Sequence, residues 1–342
     1  MRASVRSPLV SVVMAVRNAA ATVEAAIRSI ERQTLADWEF VVVDDGSTDG
    51  TSGRLDEARR RDPRIRVVRA PHAGLTPALN TGLTEARGTF IARMDADDVS
   101  DRERLAAQVT LLAADPTLGA ASGLVEFGGD RVQSEGYARH VDWLNSLRTP
   151  DEIALNRFVE SPVANPSAMF RRELINRWGG YREGDFPEDY EFWLRWFEGG
   201  LRMGKTSRVL LTWNDPPDRL TRRDPRYAAA AFYAIKAAYL AREIRRLRHG
   251  REVWIWGAGR RTRRRVDPLI AEGIAVDGFI DIDPRKAAAG RLPIPVVLPL
   301  DMPSAERAFV VGYVGKRGAR ELIRNDLATR GYVEGRDFLM AA

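Results

Sequence analysis

Residues 38–51 read WEFVVVDDGSTDGT: an apolar run that ends abruptly in carboxylates and a glycine. Glu39–Asp44 has the near-continuous valine pattern of a strand buried on both faces, the type found in parallel sheets. Upstream, Val10–Val16 (VSVVMAV) repeats that pattern, and the spacing of Val23, Ile27 and Ile30 predicts a helix over 22–32 between the two. Downstream, the alternation predicts a helix over 52–60, a strand over 65–69, a helix over 76–86 and a strand over 89–94 (TFIARM). Ser100 and Glu103 form an S-x-x-E pattern ahead of Leu105, Val109 and Leu112, which predicts a capping box and a further helix. The fold class is therefore α/β, with a doubly wound sheet whose ligands bind beyond the carboxyl ends of the strands.

Two acidic clusters close predicted strands. Asp44, Asp45 and Asp49 follow the second, and Asp95, Asp97 and Asp98 (DADD) follow the fourth. Three carboxylates within four residues repel one another, and a divalent cation of the Mg²⁺ or Mn²⁺ type, which takes oxygen ligands, offsets that repulsion. A solvated acidic turn is the plainer reading, but the position on the ligand edge of the sheet favours a site. A third pair, Glu188-Asp189, follows Pro187 and so falls in the first turn of a helix. The positive helix end favours ionised carboxylates by roughly 0.3–1 kcal/mol each, the state a general base requires.

Composition narrows the rest. At 342 residues the chain is long enough for two domains, since single cores rarely grow past about 250 residues. It has no cysteine, which excludes disulfides and thiolate chemistry. His72, His140 and His249 lie too far apart in sequence to suggest a histidine metal cage. The longest apolar stretch stops at Lys236, well short of the roughly 18–20 residues of a membrane span. The N-terminal MRASVRSPLVSVVMAV runs straight into a strand without a small-residue cleavage site, so no secretory leader is expected and the expected location is cytoplasmic. The net charge of +6 gathers at 242–251 and 260–265, but no nucleic-acid motif accompanies it, and nucleic acid is not an expected partner.

The run at 10–51, then GLTPALNTGLTEARGTFIARMDADD (74–98), NPSAMFRR (165–172) and PEDYEFWLR (187–195) together resemble the family two glycosyltransferases of the GT-A fold, over about residues 8–215. The resemblance implies an inverting transfer from a nucleotide-diphosphate sugar, UDP-sugars favoured, to the hydroxyl of a glycan or lipid-linked acceptor. It implies that Asp45 reads the nucleotide base, with Ala15 and Val16 lining the same pocket. Asp95 lies on the ribose side, Asp97 and Asp98 hold the metal and diphosphate, Asp189 is the base, and Glu188 shapes the acceptor site. Arg17 departs from the aromatic common before Asn18, and Asn165 from the histidine that often precedes Pro166-Ser167. Trp193 and Trp196 read as core or as an acceptor platform. The segment FWLRW lacks the glutamine of the processive signature, which favours single-sugar transfer.

The expected organisation is a GT-A domain over 1–224, a linking helix over 225–250 and a Rossmann-like domain over 251–342. A hairpin is expected near Gly128-Gly129. In the last domain Gly257 and Gly259 open a partial dinucleotide fingerprint that has Thr262 in place of the third glycine, and Asp281 lies 22 residues after Gly259. Gly257, Gly259, Arg260 and Asp281 are thus candidates for a second nucleotide site, with a packing or oligomerisation role as the alternative. Leu240, Ile244 and Leu247, ringed by Arg242, Arg245, Arg246 and Arg248, have the pattern of an interfacial helix, which would give peripheral membrane contact at the inner face. Rival functions are weaker. A nucleotidyltransferase needs a glycine-rich loop that RNAAAT does not supply, and Asp189 argues for turnover over a sugar-nucleotide sensor. About 90 residues leave no room for a dehydrogenase.

Overall fold

The computed structural model describes residues 7–216, 219–288 and 293–342. In chain order the first elements are β1 (Val10–Val16), α1 (Val23–Glu31), β2 (Trp38–Asp45), α2 (Thr51–Arg61), β3 (Ile65–Ala70), α3 (Leu75–Glu85) and β4 (Phe90–Arg93). Then come β5 (Val99–Ser100), α4 (Arg104–Ala114), β6 (Ala120–Phe127), α5 (Glu135–Ser146), α6 (Pro150–Leu155), β7 (Met169–Arg171), α7 (Glu173–Trp178), α8 (Glu188–Glu198), β8 (Met203–Trp213) and α9 (Leu220–Arg223). The remainder comprises α10 (Ala229–Leu247), β9 (Glu252–Trp256), α11 (Arg260–Ala271), β10 (Gly278–Ile280), α12 (Pro284–Ala288), β11 (Val296–Val297), β12 (Ala308–Gly312), α13 (Ala319–Thr329) and β13 (Phe338–Met340).

Among the described residues these form two compact units. One takes the chain up to Ala154 with Val163–Gly184 and Gly199–Arg223; the other takes Leu155–Pro162, Asp185–Glu198 and the chain from Asp224 onward. The second unit therefore includes α8, which the sequence order alone assigns to the first.

The sheet of the first unit runs β3-β2-β1-β4-β7-β6-β8-β5. The four strands from β3 to β4 are parallel, and the antiparallel β7 then begins the mixed half. Every residue of β1 and β2 is buried, as their valine-rich sequences require, and the core joins Val12, Val42, Ile27, Leu55 and Leu105. Because β1, β2 and β4 are parallel, the acidic ends of β2 and β4 share one edge with the end of β1. Gly46 turns the chain there at φ +69°, and a Cβ on it would lie 2.9 Å from the His72 nitrogen, so only glycine fits.

Two local expectations fail. The predicted capping box is absent: α4 starts at Arg104, and Ser100 sits in β5 paired with β8, where its hydroxyl accepts from the buried Arg104 side chain. There is no hairpin at Gly128; β6 instead pairs with the distant strands β7 and β8, and Gly128 donates to the Trp213 carbonyl.

In the second unit the order β11-β10-β9-β12-β13 is wholly parallel, the open sheet expected of a Rossmann-like domain. Its core also takes the apolar face of α10: Leu240, Ile244 and Leu247 are buried with Val253, Ile255 and Leu269. That corrects the interfacial-helix reading, because no apolar face is left there for lipid. The surrounding charge is partly neutralised as well, Arg242 by Glu198 and Arg246 by Glu243. No helix among the described residues is long and apolar enough to cross a membrane.

Lys236 on α10 is buried, donates to the Ala341 carbonyl at 2.8 Å and lies 4.0 Å from the centre of the Tyr233 ring. Burial drives its ammonium down to about 7. Above that pH the unfolded chain keeps a proton that the folded unit releases, up to the free lysine value of about 10.4. Stability of this unit is therefore expected to rise between pH 7 and pH 9, and Lys236→Met is expected to flatten the rise in denaturation midpoint measured across that range.

Candidate active site

The turn after β4 brings Asp95, Asp97 and Asp98 together, with one ligand atom from each lying within 4.8 Å of the others. It is the only such group of three or more metal-type side chains among the described residues. Asp98 is almost wholly buried. Its Oδ1 accepts from the Asn214 backbone at 2.9 Å, while its Oδ2 is buried with no hydrogen-bond partner among the described residues. Burial, and then the charge of Asp95, push the Asp97 carboxyl up to about 6. Burial with both neighbouring carboxylates pushes Asp98 well above the ordinary range. An unpaired buried carboxylate oxygen costs free energy. A hard dication at this oxygen-only cluster removes that cost, so the residues fit Mg²⁺ or Mn²⁺.

Cations within the fold hold the turn. Arg93, buried at the end of β4, donates to Asp95 at 2.6 Å. Arg104, at 0% exposure, donates to the Arg93 carbonyl at 2.6 Å and to Ser100 Oγ at 2.9 Å, and its positive charge acts on Asp98. Burial lowers the Arg104 guanidinium to about 10, so it stays charged at neutral pH. Just past β8, Asn214 Nδ2 donates to the Asp97 carbonyl at 2.6 Å. Arg219 lies over the Trp213 ring at 4.4 Å and adds positive charge near Asp97 and Asp98.

These four residues were not among the sequence candidates. Asn214 and Arg219 lie more than 110 positions away from the turn, and the buried arginines read as ordinary members of an arginine-rich chain. The only local signal was the arginine preceding Met94 and Asp95.

At the end of β2 the carboxylate has partners within the fold. Asp45 is 4% exposed and both oxygens are engaged: Oδ1 by the Ala73 amide at 2.8 Å, and Oδ2 by the Gly74 amide at 3.0 Å and His72 Nδ1 at 2.8 Å. The side chain thus holds the 72–74 loop. Ala15 and Val16 are buried at the end of β1, one strand over. Asp44 caps its own turn, accepting from the Ser47 amide at 3.0 Å and from the Ser52 hydroxyl. Asn18 and Asp49 stitch the loops after β1 and β2 together.

In the second unit, Glu188 and Asp189 begin α8. Glu188 is buried and accepts from the Tyr227 hydroxyl at 2.6 Å, while the half-buried Asp189 accepts from the Tyr190 amide at 2.7 Å. Trp193 and Trp196 are fully buried against Phe192, so they are core and not an acceptor platform. In the partial fingerprint, Gly257 is buried at φ +113°, where a Cβ would meet Val314 at 2.8 Å. Asp281 is already committed, accepting from the Ala258 amide at 2.8 Å, the Asp283 amide at 3.0 Å and Lys286 Nζ at 2.8 Å. Both of its oxygens thus already have partners within the fold, Oδ1 one and Oδ2 two.

The architecture, with its acidic edge, is a GT-A-like α/β fold. The family model described as Glycosyl transferase family 2 matches residues 11–179. The chain is 31% identical over 226 residues to the putative glycosyltransferase EpsE of Bacillus subtilis, covering 65% of this chain and 78% of that one. It is 27% identical over 241 residues to the O-antigen biosynthesis glycosyltransferase WbnJ of Escherichia coli, covering 69% and 89%. Of another curated relative it spans 59%. The fold of S. aureus TarS 1–349 superposes with a TM-score of 0.51 at 19% identity, covering 77% of this chain and 79% of that one. The chain belongs to Glycosyl transferase family 2.

If Arg104 secures the acidic turn, Arg104→Met should destabilise the first unit by about 3–5 kcal/mol, the range for removing one partner of a buried charge group. Chemical denaturation followed by tryptophan fluorescence measures it. A loss below about 1 kcal/mol would mean that the arginine is dispensable to the turn.

Proposed function

We propose that the chain transfers a single sugar from a nucleotide-diphosphate donor, UDP-sugars favoured, to an acceptor hydroxyl with inversion, in the building of a surface or extracellular polysaccharide. The reading rests chiefly on the carboxylate cluster at the end of β4, whose buried Asp98 oxygen lacks a partner. The biosynthetic setting is supported by the similarity to WbnJ, a glycosyltransferase of O-antigen biosynthesis. Glycan or lipid-linked acceptors follow from the family resemblance.

Asp97 and Asp98 would hold the dication, and Asp95, oriented by Arg93, would face the ribose side. When bound, Mg²⁺ or Mn²⁺ supplies Lewis-acid neutralisation of the departing diphosphate. Ala15 and Val16 would wall the base pocket, and Asp45, braced by the 72–74 loop, would read the base. Asp189 would take the proton from the acceptor hydroxyl, as the hydroxyl oxygen bonds to the anomeric carbon and the bond to the diphosphate oxygen breaks with its electron pair. Its place in the first turn of α8 favours the ionised form, and Glu188, fixed by Tyr227, would position the acceptor.

Two variants test the assignment. Asp97→Ala should abolish metal-dependent donor binding, read by calorimetry with Mn²⁺ and with chelator, and leave the thermal transition in place; full donor turnover in chelator would refute the metal role. Asp189→Asn should lower kcat by roughly 10²–10⁴ with donor affinity nearly unchanged. Near wild-type turnover in that variant would place the base elsewhere.

A further inference from the structure

Within the second unit, a cleft of about 520 Å³ is lined by Ala229, Ala230 and Tyr233 of α10 and by Arg260, Arg261, Arg264, Arg265 and Pro268 of α11. Half of the lining is guanidinium and none of it is acidic. Arg260, Arg261 and Arg264 are exposed and make no ion pair or side-chain hydrogen bond among the described residues, unlike Arg242 and Arg246 on α10. Arg265 is held in place: its guanidinium lies 4.9 Å from the Tyr233 ring centre and packs so closely on Gly315 that a Cβ there would sit 2.5 Å from it.

This arrangement works against the helix that carries it. Arg260 with Arg264, and Arg261 with Arg265, are like-charge pairs at i,i+4, which destabilise a helix. They also occupy its first turns, where the macrodipole disfavours cations. The cleft is further lined by the first two residues of both α10 and α11, and neither helix has a side-chain cap. Asp267, the one acid on α11, does not line the cleft. A local arrangement that opposes the fold without internal compensation is the mark of a functional surface.

We propose that this cleft binds a diphosphate-bearing ligand, with the guanidinium groups of Arg260, Arg261, Arg264 and Arg265 as its charge partners. Planar guanidinium groups bind phosphate oxygens through paired hydrogen bonds, and the volume lies within the range of ordinary small-molecule sites. The diphosphate can come from a soluble nucleotide or from a phosphorylated lipid headgroup. The site is independent of the donor reading above, and its charge comes from α11.

The test uses the full chain in chelator, so that metal-dependent binding at the β4 turn is silent. Inorganic pyrophosphate is titrated by calorimetry into the wild type, the Arg261→Ala/Arg264→Ala pair, and Arg263→Ala, which removes a charge from the same helix outside the cleft. The pair should weaken binding roughly tenfold or more, while Arg263→Ala stays near wild type. Absence of pyrophosphate binding to the wild type, or equal losses in the pair and in Arg263→Ala, would overturn the proposal. Parallel arms with UDP, and with vesicles containing the diphosphate lipid diacylglycerol pyrophosphate, identify the source. Tighter binding of UDP than of pyrophosphate, lost in the pair, assigns a nucleotide; vesicle binding lost in the pair and competed by pyrophosphate assigns a lipid.

Discussion

Three carboxylates held within 4.8 Å of one another at the end of β4 are the constraint around which the first unit is organised. Like charges at that range are tolerable only if surrounding groups hold them, and two arginines do so from inside the fold. Arg93 reaches forward to Asp95, while Arg104 binds the Arg93 carbonyl and sets its charge beside Asp98. Burying two guanidinium groups is expensive. That expense explains why β5, two residues long, is kept: it holds Ser100 against β8, where the Ser100 hydroxyl accepts from Arg104. Asn214, just past β8, closes the arrangement by binding the turn through backbone and side chain. The cluster is thereby poised for a cation, with one buried oxygen still unpartnered.

The loops at the neighbouring strand ends show the same economy. Asp45 spends its carboxylate on the 72–74 segment, and Gly46 allows that segment to approach within the distance that a side chain would forbid. Asn18 and Asp49 tie the β1 and β2 loops to one another. Most acidic residues on this edge therefore maintain its shape, whereas Asp98 in the β4 turn retains a buried oxygen without a hydrogen-bond partner.

The second unit illustrates how fold and site separate. Its parallel sheet and the turn at Gly257 follow the dinucleotide-binding pattern, yet Asp281 is locked by two amides and Lys286. Meanwhile α8 joins this unit through its buried aromatic face, with Tyr239 donating to Glu191 at 2.6 Å and Tyr227 to Glu188. The Glu-Asp pair thus begins a helix anchored in a core built largely from sequence that follows it.

The sequence by itself determined the parallel strands, because valine-rich runs such as 10–16 and 39–44 are suited to burial on both faces, and a parallel register then puts the acidic ends of β2 and β4 on one edge. It also determined the family, through ordered motifs whose spacing is local and contiguous. What only the tertiary structure decided depends on residues far apart in the chain. Ser100 reads as a helix cap but pairs with β8, because a capping signal is two residues long and a strand partner more than 100 positions away outweighs it. Leu240, Ile244 and Leu247 read equally as a lipid-facing or a core-facing stripe, since periodicity reports that a face is apolar and not what covers it. Asp45, Asp98 and Asp281 are identical in sequence terms. Their difference, two with both oxygens engaged by amides together with His72 or Lys286 and one left with an unpartnered oxygen, arises from donors that come near only when the chain is folded.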